Sequence, residues 1–209
     1  MLVRTCLVVL LLLVIRPPAA AADAVFGFEL TGALSAYDMS SFNDSLTSFN
    51  EATGTAFGEI SSGLGVGGNF RIWMTPRWLM RLGLQNWSAA TESQGYTFDV
   101  SAWSFQIGVA YFPDLHTPFR TGLGLGFDNL TLHGGLEGPD VDLKPSGSGF
   151  GGHGTIEAMV PMGRQWSGIV TLGYRIARLD VVKLDEQQVG IEPDYTGPYV
   201  QLGLAFDGR

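Results

Sequence analysis

The sequence has little cysteine, little charge and no long apolar run after its first residues. Its single cysteine, Cys6, lies in the N-terminal segment, so the rest of the chain has neither a disulfide framework nor a thiolate metal site. No stretch after Ile15 has the roughly 18 apolar residues that a membrane-spanning helix needs. Asp and Glu number 20 against 12 Lys and Arg, and an acidic chain is a poor nucleic-acid binder.

Residues 1–22 have the build of a secretory signal. Arg4 gives a basic start, an apolar run extends to Ile15, and alanines end the segment. The apolar run is too short to span a bilayer as a helix. We therefore expect export with cleavage near Ala22, with a cut after Ala24 as the alternative, and a single domain over residues 23–209.

From Val25 onward an apolar residue recurs at every second position, with glycine or a polar residue between. This period predicts strands that have one apolar face and one small or polar face. Turn residues separate eight such segments, at 25–37, 61–74, 77–90, 96–112, 118–132, 149–162, 166–182 and 195–206. Most have the ten or so residues with which a tilted strand crosses about 30 Å of hydrocarbon. Since an open sheet edge is excluded from hydrocarbon, these strands predict a closed barrel.

The connections between these segments alternate between short and long. Three are short, at 75–77, 113–117 and 163–165, and three are long, at 38–60, 133–148 and 183–194. A brief link near 91–94 is the exception. Tight periplasmic turns and longer external loops give this alternation in outer-membrane barrels. The fold predicted is all-β, an eight-stranded antiparallel up-and-down transmembrane β-barrel with both chain ends at the periplasmic side.

The first long connection has helical periodicity. Apolar residues recur there at i, i+4 and i+7, namely Phe42, Leu46 and Phe49. They predict a short helix at about 41–52, capped by Ser40 or Ser41 and ended by Gly54. We expect this external-loop helix to pack its apolar face over the barrel rim as a plug. The alternative is a docking face for a ligand or for the lipopolysaccharide surface.

Strand parity assigns the two faces of the barrel. Apolar residues such as Leu64, Val66 and Phe70 would face outward, and the intervening residues would line the lumen. Charged side chains of the inner set are predicted to pair and fill the bore, because an unpaired buried charge is costly: Glu29, Arg71, Arg81, Arg120, Asp128, Glu157 and Arg175. A selective ion path is the alternative for this set.

Aromatic residues lie beside the short turns, where their rings suit the headgroup region: Trp78, Tyr111, Phe112, Phe119, Trp166 and Phe206. They predict an aromatic girdle at the periplasmic boundary of the membrane, on the side of the short turns. Ordinary strand aromatics are the alternative interpretation.

With these features the chain resembles the small outer-membrane β-barrel proteins of Gram-negative bacteria, the OmpA/OmpX/OmpW-like group. The resemblance rests on the signal segment, the glycine-rich strand 60–71, the turn 74–78 and the closing strand 197–206. It covers the whole chain after the signal and implies a porin-like outer-membrane location. It further implies contact with outer-membrane lipid and lipopolysaccharide, insertion by the outer-membrane machinery, and a monomer. One departure is the extension 207–209 after Phe206, where such barrels typically end on an aromatic residue.

Few residues remain for chemistry. The histidines are not at metal-ligand spacing: His116, His133 and His153. A lipid hydrolase could use only Ser146 or Ser148 with His153 and Glu157, in a glycine-rich segment that does not preorganise them. No catalytic group, cofactor or metal is therefore expected. The function predicted is a non-enzymatic structural or surface-interaction role with a side-chain-filled lumen. The alternatives are a narrow channel or carrier for small or hydrophobic solutes and an outer-membrane lipid-modifying hydrolase.

Overall fold

A computed structural model describes residues 24–113, 119–138, 141–184, 187–189 and 193–208. Its long strands are β1 Val25–Ala36, β2 Ser62–Trp73, β3 Trp78–Ser93, β4 Tyr96–Tyr111, β5 Arg120–Gly138, β7 Pro145–Pro161, β8 Trp166–Leu184 and β10 Gly197–Asp207. Two short strands, β6 Val141–Leu143 and β9 Gln187–Val189, pair with β5 and β8. Helix α1, Ser40–Thr53, connects β1 to β2. The predicted signal 1–22, His116 and Arg209 lie outside the described residues.

The long strands form a closed antiparallel barrel. Each pairs with its neighbours along the chain, and β10 pairs with both β1 and β8. At the closure Phe28 lies opposite Phe206, and Val200 lies opposite Leu172. The eight-stranded up-and-down barrel is confirmed, and the predicted strand positions are close to those observed except at the loop end of β5 and β7.

The two ends of the barrel differ. The end with the connections 74–77, 112–119 and 162–165 and with both chain ends is called the turn end. The opposite end, where α1 lies, is called the loop end. At the loop end the predicted long connection 133–148 is wrong, because β5 continues to Gly138 and β7 begins at Pro145. The strands continue because their inward residues there, such as Leu132 and Leu136, pack in an apolar interior.

The inner and outer faces exchange character between the two ends. Towards the turn end Leu125 and Phe127 of β5 point outward and are exposed, whereas towards the loop end Leu130 and Leu132 point inward and are buried. The same exchange occurs on β4 at residues 102–103. One half of the barrel is therefore apolar outside and polar inside, and the other half has the apolar interior and polar surface of a water-soluble protein.

Helix α1 and the returning segment 55–61 together form a cap over the loop end. The helix ends as predicted, with Gly54 in the left-handed conformation at φ 73° and its N–H donating to the carbonyl four residues back. The predicted serine cap is wrong, because the N-cap residue is Met39 and no side chain caps the first turn. Met39 is buried in the apolar interior, so packing determines where the helix starts. In the described residues no helix is long and apolar enough to cross a membrane.

Candidate functional site: a filled lumen beneath a helical cap

Side chains fill the lumen in three layers. The lower layer, at the turn end, is apolar and consists of Trp73, Leu79, Ala110, Phe112, Met159, Ile169 and Ala205. The middle layer is polar, and the space left among its side chains is about 40 Å³, which holds a few water molecules. The upper layer is apolar and joins the strands to the cap; its larger members are Tyr37, Met39, Phe42, Leu46, Phe57, Ile60, Trp87, Phe98, Leu130, Leu132, Leu136, Leu179 and Tyr195.

A chain of alternating charges crosses the middle layer. Arg81 donates from Nη1 and Nη2 to the two oxygens of Glu157, at 2.5 Å each, and its Nε lies 3.2 Å from Glu29 Oε2. Arg71 Nη1 lies 3.4 Å from the same Glu29 oxygen, and Arg71 Nε lies 3.3 Å from Asp207 Oδ1. The fork-shaped contact between Arg81 and Glu157 is the strongest geometry available to such a pair. Each charge therefore has an opposite charge beside it in a region with little water.

Asp207 is a member of this network that the sequence did not predict. It lies in the C-terminal extension after Phe206, yet it is the last residue of β10 and is buried. The reason is parity, because Phe206 points outward and the next residue must point into the lumen. Its backbone N–H also donates to the carbonyl of Gln165 at 2.9 Å, which ties the end of β10 to the neighbouring turn.

Among the described residues Arg175 forms no direct ion pair with a carboxylate, contrary to the prediction, and Asp128 attracts it only over a longer distance. In the part of the chain that the structure describes, the partners of Arg175 are two rings and an amide: the guanidinium carbon lies 3.5 Å from the ring centre of Trp87 and 4.8 Å from that of Tyr199, and Nη2 donates to Gln85 Oε1 at 3.2 Å. Arg175 lies at the boundary between the polar layer and the upper apolar layer. Aromatic faces suit this boundary because they stabilise a cation without adding a buried anion.

Asp128 and His153 form a second polar pair in the middle layer. His153 Nδ1 lies 2.8 Å from Asp128 Oδ2, and Ser104 Oγ donates to Asp128 Oδ1 at 3.1 Å. The imidazole covers Gly126 on the facing strand, where a Cβ atom would clash with the ring. Glycine is therefore required opposite this histidine. Glycine is required at residue 173 for the same reason, because a Cβ atom there would clash with the ring of Tyr199.

The residues considered for lipid hydrolysis are not assembled. Ser146 and Ser148 are exposed at the loop end, whereas His153 and Glu157 point into the lumen and contact Asp128 and Arg81. Ser104 lies next to Asp128 but donates to the carboxylate instead of to the imidazole. Within the described ranges no group of three His, Cys, Asp or Glu side chains is placed to hold a metal ion.

Arg120 lies at the turn end of the lumen. Its guanidinium carbon lies 4.4 Å from the ring centre of Trp73 and 5.3 Å from that of Phe112, and Nη2 donates to the carbonyl of Pro76. Phe112 is thus not a girdle residue as predicted. It follows Tyr111, which faces outward, and so the Phe112 side chain points inward and is fully buried in the lower layer.

The other residues of the predicted girdle lie on the outer face at the turn end. Trp78 and Tyr111 have ring centres 4.9 Å apart, and Trp166 contacts Phe206 at 5.2 Å. Phe28 joins the second group, since it stacks on Phe206. The Phe119 side chain is exposed at the same end of the barrel.

The cap buries the helix residues that the periodicity singled out. Phe42 and Leu46 are buried, and Phe49 packs against the same cluster. Phe42 contacts Phe98 of β4 at 5.2 Å between ring centres, and Phe49 contacts Phe57 at 6.1 Å. The apolar face of α1 is therefore occupied by the barrel and the returning segment.

Two asparagines of α1 hold the returning segment and were missed by the sequence analysis. Asn43 bonds with both backbone polar groups of Ile60, and Asn50 does the same with Phe57. Their spacing of seven residues, which places both on one side of the helix, was the available signal.

The exposed surface at the loop end is rich in carboxylates. The described acidic residues there are Asp38, Asp44, Glu51, Glu59, Glu92, Asp99 and Glu137, all exposed. Cations near them include Lys144, Lys183 and Arg178, the last bound to Asp194 at 3.0 Å. We call this surface the acidic rim.

The sequence profile of the family described as "outer membrane protein beta-barrel domain" matches residues 7–207. The chain belongs to this family. No curated protein sequence matches the chain at a significant level. Membership places the barrel in the outer membrane, so that its apolar outer belt meets lipid and its turn end faces the periplasm, as in bacterial outer-membrane barrels generally.

Solved structures share the fold at low sequence identity. A major outer membrane protein from Thermus thermophilus superposes with a TM-score of 0.59 at 14% identity, covering 89% of this chain and 100% of that one. OprG from Pseudomonas aeruginosa gives 0.54 at 12% identity, covering 89% and 96%. The outer membrane protein AlkL gives 0.54 at 9% identity, covering 92% and 93%. These likenesses concern the barrel architecture.

Proposed function

We propose that this outer-membrane barrel is a non-enzymatic protein with a structural or surface-interaction role, and that its bore does not conduct. The observation that carries the proposal is the filling of the lumen by two apolar layers around a paired polar layer. An ion would have to enter both apolar layers and separate Arg81 from Glu157, and each step is costly without water.

Planar-bilayer recording tests the closed bore. The purified barrel is expected to give no steady unitary current. Steady currents that vanish when Arg81 or Glu157 is substituted would overturn the proposal and support the alternative of a narrow channel. An apolar solute would meet the same polar layer inside the lumen, so the filled bore also opposes a carrier path along the barrel axis.

The acidic rim supports a surface-interaction role at the external side. Exposed carboxylates at this density favour cationic partners and divalent cations, and they repel polyanions. We propose that contact with the phosphates of lipopolysaccharide is bridged by divalent cations. Binding of lipopolysaccharide that persists after chelation of Ca²⁺ and Mg²⁺, or that is unchanged in Glu59→Gln and Glu92→Gln together, would contradict this.

The route to the membrane is part of the proposal. We infer that residues 1–22 direct export and are removed near Ala22, and that the insertion machinery reads the end of β10, where Phe206 points outward. N-terminal sequencing of the membrane-inserted protein should begin at Asp23. A monomer is expected, and cross-linking in the membrane tests it.

A further inference from the structure

An apolar groove crosses the outer face of the barrel; a smaller one of about 550 Å³ lies over β1 and β10, where the lining has no outward glycine. The larger groove has a volume of about 720 Å³ and runs over β4, β5, β7 and β8, with Trp78 of β3 at one end and Tyr174 of β8 at the other. Its depth comes from Gly154 of β7, which faces outward between Leu125 and Tyr174. At this position the belt has no side chain.

A second outward glycine lies beside the groove. Every second residue of β7 faces outward, and Gly152 is the outward residue next to Gly154. In the described belt no other strand has glycine at two successive outward positions. The side walls at Gly154 are Leu125 on β5 and Tyr174 on β8. A Cβ atom at residue 154 would meet only Leu125, at 3.7 Å, so the space above Gly154 is open.

The groove has the length and direction of one lipid chain. From β3 to β8 it crosses four strand spacings, about 19 Å. It starts at Trp78, the first residue of β3 at the turn end, and ends at Tyr174, well inside β8. It therefore rises obliquely from the membrane boundary through the periplasmic half of the hydrocarbon, which is about 15 Å thick.

A polar partner for a headgroup lies at the lower end of the groove. Trp78 and Tyr111 stack there at 4.9 Å, at the level where aromatic rings meet headgroups. Arg77 precedes Trp78 and is exposed, and in the described residues its guanidinium forms no ion pair or hydrogen bond. A free guanidinium next to an apolar groove matches the two parts of a phospholipid, since it binds phosphate oxygens through its fork of donors.

We propose that the groove binds one acyl chain of a phospholipid of the periplasmic leaflet, with Arg77 holding the headgroup phosphate. The glycine floor lets the chain lie closer to the backbone than it can beside an outward side chain, and contact with the walls and floor replaces the loose packing of bulk lipid. The site depends on the outer-membrane location and is independent of whether the bore conducts. A current through the bore would leave it standing.

Native mass spectrometry of the delipidated full barrel tests the site, with dioleoyl phosphatidylglycerol and dioleoylglycerol as probes. The unsubstituted protein should retain one phosphatidylglycerol molecule more strongly than any further phosphatidylglycerol molecules that bind. Gly154→Leu fills the groove and should abolish the preferential retention of both probes. The matched control is Gly32→Leu on the opposite wall, where a Cβ atom also meets nothing closer than 4.0 Å. Retention that is equal in these two variants would overturn the site.

The headgroup assignment has its own comparison. Arg77→Gln should lower phosphatidylglycerol retention about tenfold and leave dioleoylglycerol unchanged, as expected for loss of a hydrogen-bonded ion pair. Arg164→Gln, at another exposed turn of the same end, is the control and should change neither. An unchanged retention in Arg77→Gln would overturn the role of Arg77. Heat-modifiable gel migration verifies folding, and Leu125→Trp fills the groove from its other wall if Gly154→Leu does not fold.

Discussion

The side-chain amide of Asn43 bonds with both backbone polar groups of Ile60: Nδ2 donates to the carbonyl at 3.0 Å, and Oδ1 accepts from the N–H at 2.9 Å. Asn50 repeats the arrangement with Phe57, at 3.1 and 2.9 Å. Seven helical residues rise about 10.5 Å, and three extended residues advance about 10 Å. The two asparagines therefore match two positions of the returning segment on its helix side, while on its other side the N–H groups of Ala56 and Gly58 donate to the hydroxyls of Ser93 and Thr91 on β3.

Replacing both asparagines with alanine should loosen the cap and leave the barrel intact. Each substitution removes two hydrogen bonds to backbone groups, and together they should cost about 2 to 4 kcal/mol of local stability. Amide hydrogen exchange should accelerate in residues 55–61 and stay unchanged in β1. Ser45→Ala, which removes one exposed bond to the Ser41 carbonyl, is the control. Unchanged protection in the double variant would show that apolar packing and the hydrogen bonds to Ser93 and Thr91 hold the segment without the asparagines.

The contact between Arg81 and Glu157 should be the most sensitive polar contact of the lumen. Glu157→Gln leaves Arg81 with Glu29 as its remaining anion, and breaking a buried pair costs about 3 to 5 kcal/mol. Urea unfolding of the barrel in lipid vesicles should show this loss. Glu137→Gln, on the acidic rim, should change the free energy of unfolding by less than about 0.5 kcal/mol. Equal effects of the two substitutions would contradict a buried network.

Lumen glycines should tolerate a methyl group far less well than lipid-facing ones. Gly126→Ala places its Cβ against the His153 ring in a clash, whereas Gly32→Ala meets nothing closer than 4.0 Å. The first should cost about 1 to 3 kcal/mol in unfolding experiments, because the imidazole must leave Asp128. The second should be near neutral. In a His153→Ala background Gly126→Ala should cost far less, because the ring is absent, and an equal cost in both backgrounds would exclude the clash as the cause.

The cap should open in alkali. Burial raises the pKa of Tyr195 and of Tyr37, whose rings lie 5.2 Å apart beneath α1. Above about pH 10 both phenols ionise in an opened cap but keep their protons in the closed one. The opened state then binds fewer protons, so the stability of the closed cap falls as pH rises. Limited proteolysis at 55–61 should therefore begin above about pH 10, and at a higher pH in Tyr195→Phe. An identical onset in both proteins would contradict this.

The period-two pattern predicted the barrel well because it reports which face of a strand is apolar, whatever lies on the other side. It placed Glu29, Arg71, Arg81, Asp128 and Glu157 on strand positions that all face the lumen in the structure. A one-residue shift would have exposed them to lipid. Parity is therefore enough to separate the two faces wherever the outer face is continuously apolar.

The period-two pattern failed where the strands pass from lipid into water. On β5 the apolar phase passes from Phe127 to Leu130, and the prediction did not use this break but ended the strand at residue 132, before Gly134 and Gly135. The strand in fact leaves the membrane there and continues as part of a water-soluble barrel. A phase reversal without Gly or Pro clusters is the signal that could have located the membrane boundary. Contacts between distant strands, such as Arg175 on Trp87, have no local signal of this kind.

The two apolar layers should act as seals in series. Replacing residues 40–60 with a short glycine-serine linker removes the cap but leaves Trp73 and Phe112 in contact, with ring centres 5.4 Å apart, so the bore should remain silent in planar bilayers. Trp73→Ala with Phe112→Ala opens the lower layer alone and should also be silent. Combining the changes removes both the lower layer and the cap side of the upper layer, and small steady currents are then expected past the remaining strand residues of the upper layer, such as Trp87 and Leu132. Phe119→Ala, on the outer face of the same end, is the control. Currents from the capless barrel alone would show that the cap is the sole barrier and that the lower layer does not seal.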